Sequence, residues 1–100
     1  MIMDQNNILD KVNFLLALAN KGECSEKDLK TIESLLDEKT DNMVVGRFMG
    51  YPVSAYAFAT LKWIGSDDAL ILFDQEYKNN TEQEKAEIEE LIERKVYLQY

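Results

Sequence analysis

Cys24 is the residue best placed to do chemistry. It immediately precedes Ser25, which stands at capping-box spacing from Asp28 and marks the start of a helix. A thiol near the positive end of a helix dipole has a lowered pKa, the first requirement of a cysteine nucleophile. The second requirement is a base, and the chain contains no histidine. Glu23 and Glu26 also flank the thiol and raise the cost of a thiolate. Cys24 therefore reads as a small residue in a turn. The missing histidine also removes the usual general base, metal ligand and pH switch together. Ser25, Ser66 and Thr81 fall at helix starts and read as caps, and Gly46 and Gly50 match no phosphate-cradling pattern. The expectation is a chain without catalytic, cofactor-binding or metal-binding residues, and so not an enzyme.

Carboxylates are the next candidates. Glu82, Glu84, Glu87, Glu89, Glu90 and Glu93 crowd one segment that holds Lys85 as its only cation. Glu89 and Glu93 share a helical face and repel, whereas Glu90 and Arg94 form a well-oriented pair. Spaced carboxylates can imitate nucleic-acid phosphates or dock on a basic protein surface. The ordinary alternative is a solvated face, since glutamate is a good helix former. Asp67, Asp68, Asp74 and Glu76 give mimicry some support from outside that segment. Metal binding would need oxygens converging from loops or facing helices. Here they project from one helix. The run 37–42 lacks the central glycine of a calcium loop, and no Glu-x-x-His pattern exists.

The third constellation is aromatic. Arg47, Phe48, Tyr51, Tyr56, Phe58, Lys62 and Trp63 lie close together in sequence. Tyr, Trp and Arg are the types most enriched at binding hot spots. Single-stranded nucleic acid also takes aromatics interleaved with cations, but two basic residues in an acidic chain are too few. Tyr56, Leu61 and Ile64 share a core stripe. Phe58 projects from the opposite face beside Ala55 and Ala59, where small residues admit another helix. A later helix of the same chain is the favoured occupant, and another molecule is the alternative. The candidate interaction residues are Arg47, Tyr51, Phe58, Lys62, Trp63, Glu82, Glu89 and Glu93.

The elements that position these residues read as four to five short helices. The first runs from about Gln5 to Lys21 behind an Asp4 cap, with Ile8, Leu9, Val12, Leu15, Leu16 and Ala19 at helical steps and Gly22 as its stop. The second opens at Ser25 and buries Leu29, Ile32, Leu35 and Leu36. Met43 to Met49 reads as a short helix ending at Gly50, because Val44 and Val45 have no evident partner strand. Pro52 suits the first turn of a helix that is apolar nearly all round and therefore central. Gly65 ends it, and Ser66 caps a helix over about Asp67 to Lys78. Thr81 and Glu84 form the strongest capping box in the chain, and Ile88, Leu91 and Ile92 face inward behind it. The ending Val96 to Tyr100 is unusually apolar.

One hundred residues with 46% hydrophobic content suffice for one core, so a single helical domain over 1–100 is expected: all-α, a compact bundle or an irregular array. The net charge of −8 disfavours phosphates and anionic membranes and favours basic partners. A lone cysteine excludes an intrachain disulfide and fits a reducing cytoplasm. Phe14 to Ala19 resembles a signal-peptide end but lacks a basic leader, and Met43 to Ile64 is too broken to span a membrane. The expected function is protein–protein interaction by a small acidic regulator, inhibitor or adaptor. In size and charge, phage and mobile-element accessory proteins are of this kind. A homo-oligomeric assembly protein and an acidic nucleic-acid mimic are the alternatives. Direct nucleic-acid or membrane binding is not expected.

Overall fold

Local signals place the helices where the sequence puts them. The computed structural model describes residues 8–37, 47–48 and 51–99. Helix α1 spans Ile8–Lys21, and Gly22 closes it at φ 79°, its N–H donating to the Leu18 carbonyl. The Asp4 cap and the run 38–46 lie outside the described residues. Helix α2, Glu26–Leu35, starts at Ser25, whose hydroxyl accepts from Asp28 N–H while the Asp28 carboxylate accepts from Ser25 N–H. The box is reciprocal although aspartate replaces the usual glutamate.

One expectation is overturned. Arg47–Phe48 is a strand, β1, not part of a helix. It pairs antiparallel with β2, Tyr51–Pro52, in the register Arg47 to Pro52 and Phe48 to Tyr51. Proline drives the residue before it into extended conformation, and Pro52 itself has ψ 162°. The partner strand is thus the next dipeptide along, too short to carry a period-two signal. Pro52 consequently serves as the N-cap of α3, Val53–Ile64, rather than its first residue.

Helix α3 is the axis of the molecule. Residues 53 to 61 are all buried, and α1, α2, α4 and α5 all pack on it. Ser54, Ala55, Ala57, Ala59 and Thr60 permit this, because small side chains let neighbouring backbones approach on every side. Thr60, fully buried, donates its hydroxyl to the Leu15 carbonyl of α1. Helix α4, Asp67–Tyr77, is capped by Ser66 and ends one residue short of the expected Lys78. The buried Asn80 side chain donates to the Tyr77 carbonyl there. Helix α5, Glu82–Arg94, begins at the Thr81–Glu84 capping box. It stops at Lys95, a non-glycine residue in the left-handed region at φ 50°. A 3-10 turn, Val96–Gln99, then folds back onto α1, where the Asn20 side chain donates to the Tyr97 carbonyl. Among the described residues the fold is all-α, with one minimal strand pair.

Candidate functional site

The aromatic segment and the acidic helix, separate in sequence, are two sides of one structure. The Tyr51 ring is buried, and its hydroxyl donates to Glu90 Oε1 on α5 at 2.5 Å. The Arg94 guanidinium lies 5.8 Å from the centre of the same ring and 3.9 Å from Glu90. Trp63 is half-buried, donates its indole N–H to the Ile92 carbonyl, and packs against Tyr97 with ring centres 4.8 Å apart and the rings tilted by 46°. Tyr77, at the end of α4, donates its hydroxyl to Glu89 Oε1 at 3.0 Å. Helix α5 is thus braced from β2, α3 and α4. Two of its carboxylates, Glu89 and Glu90, are held by phenols.

Glu82, Glu89 and Glu93 on α5 are all exposed, Glu89 with the Tyr77 hydroxyl bound to it. Glu82 has 97% of its side chain in solvent and meets Lys85 only at 3.9 Å. Lys85 instead lies 5.6 Å from the Tyr77 ring centre, which draws that cation to one side of the face. Lys62 is exposed, with its ammonium 4.8 Å from the Phe73 ring centre. Phe58 is 2% exposed and sits edge-on to Phe73 and Tyr77 at 5.7 and 6.3 Å. Its face is filled by α4 of the same chain. Arg47 lies in β1 opposite Pro52. The structure therefore gathers Tyr51, Trp63, Glu82, Glu89 and Glu93 around α5, and leaves Phe58 inside the core.

Tyr77 and Glu90 lie outside the candidate interaction residues read from the sequence. Glu90 had a signal in its pairing with Arg94. Tyr77 had none, since its contact with Glu89 crosses the connection between two helices and no periodicity encodes it. Burial, and then the hydrogen bond to Glu89, push the Tyr77 hydroxyl up to about 12. Burial and the Glu90 carboxylate also raise Tyr51, against the pull of Arg94. Both phenols stay protonated near neutrality, so they act as hydrogen-bond donors and not as bases. No group of three or more metal-ligating side chains converges among the described residues.

The Cys24 thiol pKa is raised, by burial first and then by the Asp28 and Asp68 carboxylates, rather than by the flanking Glu23 and Glu26. Any lowering from the helix start is outweighed by burial and by the two acids, one of them from α4. Cys24 lies at the end of a groove of about 530 Å³ between α2 and α4, with Leu29, Ile71 and Leu72 along it and Glu26, Lys30, Glu33, Asp68 and Gln75 around it. Ile71 is 54% exposed there. No helix of the described residues is long and apolar enough to cross a membrane. No protein-family model, curated protein or solved structure matches the chain.

Proposed function

We propose that this chain is a non-enzymatic protein-interaction module, a small acidic regulator, inhibitor or adaptor of the cytoplasm that binds a basic surface of another protein through α5. The observation that carries the reading is the bracing of Glu89 and Glu90 by the Tyr77 and Tyr51 hydroxyls. A carboxylate face fixed before binding loses less freedom on association than a mobile one. Its like charges repel one another in the free protein, and a cationic partner relieves that repulsion. A solvated face chosen only for helix propensity needs no such support from two other elements.

Affinity capture from a lysate of the source cell tests the proposal, with the triple variant Glu82→Lys, Glu89→Lys, Glu93→Lys alongside. The expected result is one stoichiometric partner, retained by the native chain and lost with the variant. Capture indifferent to charge reversal contradicts the reading. Competition by DNA or RNA for a captured nucleic-acid-binding protein identifies the same face as a phosphate mimic.

A further inference from the structure

The groove between α2 and α4 has the shape and charge of a second docking face. Each wall is one helical stripe. Helix α2 contributes Glu26, Leu29, Lys30 and Glu33, and α4 contributes Asp68, Ile71, Leu72 and Gln75. Both follow the spacing i, i+3, i+4, i+7, so each wall is about 10 Å long, two helical turns. In α4 the apolar Ile71 and Leu72 occupy the middle and polar residues the ends, and in α2 Leu29 shares the middle with Lys30. Ser25 and Ser66, the two N-caps, both line the groove, and the Asp68 carboxylate near the start of α4 acts on Cys24 just before α2. Both helices rest on α3, which fixes the gap between them.

We propose that this groove receives one amphipathic helix of another protein, its apolar stripe on Leu29, Ile71 and Leu72 and its lysines or arginines against Glu26, Glu33 and Asp68. The proposal rests on the reading of the chain as a protein-binding module and gives it a second face and a partner chemistry. Ridges at three- and four-residue steps are complementary to the ridges of a third helix. Acids outnumber Lys30 along the walls, and Asp28 adds its field at the Cys24 end, so the occupant is cationic at its flanks. A second copy fits poorly, because the exposed face of its own α5 is acidic and each chain carries −8. The two helix starts do not call for an anion, since Asp28 completes one cap and Asp67 and Asp68 occupy the first turn of the other.

Cys24 makes the test direct, because it is the only cysteine and lies in the groove. The probe is a synthetic helical peptide with leucines at i and i+4 between flanking lysines, compared with a scramble of the same composition. The readout is the rate of Cys24 alkylation by iodoacetamide. Saturating peptide is expected to slow alkylation several-fold, the scramble to leave it unchanged, and Ile71→Asp to abolish the protection. Ile71→Ser, verified as folded by circular dichroism, is expected to weaken it. The triple α5 variant is expected to be protected as well as the native chain, so failure here is separate from failure of the acidic face. Equal protection by the scramble, or full protection of Ile71→Asp, overturns the proposal. So does Cys24 protection that rises with protein concentration in the absence of peptide, which assigns the groove to a second copy.

Discussion

At the scale of single residues, the tyrosine hydroxyls do the most to shape the acidic face. Tyr77→Phe removes the donor to Glu89 and leaves the ring in place against Phe73, 4.8 Å away and nearly parallel. A half-exposed bond of this kind contributes at most about 1 kcal/mol, so urea denaturation should show a small loss of stability. Partner affinity should fall more than stability does, because Glu89 is then free to move. The pH dependence has a definite sign. The Tyr77 pKa rises from 10.0 when unfolded to about 12 when folded, so its contribution is complete below pH 10 and is lost as pH climbs through about 12. Tyr51 and Tyr56 shift in the same direction and steepen the fall. Denaturation midpoints between pH 10 and 12 should therefore decline, and Tyr77→Phe should flatten part of the slope. The exposed positions of Glu82, Glu89 and Glu93 were legible in the sequence, because acids at helical spacing around Ile88 and Leu91 must face away from the core. The bond to Tyr77 was not, since it joins side chains on separate helices.

At the scale of elements, what the sequence announced was local. Ser25, Ser66 and Thr81 cap within three residues, and Gly22 and Gly65 supply the left-handed stops, so each signal lies inside the window that reads it. The β1–β2 pair escaped because two-residue strands have no period, and the 3-10 turn because Lys95 is not a glycine. Thr81→Ala should cost about 1 kcal/mol, lowering the melting temperature by roughly 4–8 °C, through loss of the hydroxyl that accepts from Glu84 N–H. Lys95→Gly should act in the opposite sense. A lysine at φ 50° is strained, and glycine there should raise stability by about 1 kcal/mol in thermal denaturation. An unchanged or lower melting temperature for Lys95→Gly would contradict the account of how α5 ends.

At the scale of the whole molecule, the described aromatic residues lie inward and most of the described charges, Lys11 apart, lie outward. Phe58, Phe73 and Tyr77 tie α3 to α4, while Tyr51, Trp63 and Tyr97 gather at α3, α5 and the closing turn. Phe58→Ala should cost about 3–5 kcal/mol, a large share of the roughly 5–15 kcal/mol that holds a small domain together. Denaturant unfolding measures it directly, and a loss below about 1 kcal/mol would mean that α4 is not anchored there. The hydrophobic patterning identified α3 as central, but it could not say that the aromatic segment and the acidic helix would meet, because helix packing order is set by long-range contacts. That meeting is the basis of the functional reading. Its most direct test is the dissociation constant of the captured partner, by isothermal titration, for the native chain and for the Glu82→Lys, Glu89→Lys, Glu93→Lys variant at low and physiological salt. The native complex should weaken steeply as salt screens exposed charges over about 8–10 Å, and the variant should bind more than about tenfold less tightly at either salt. Equal affinity for the two chains, independent of salt, would contradict it.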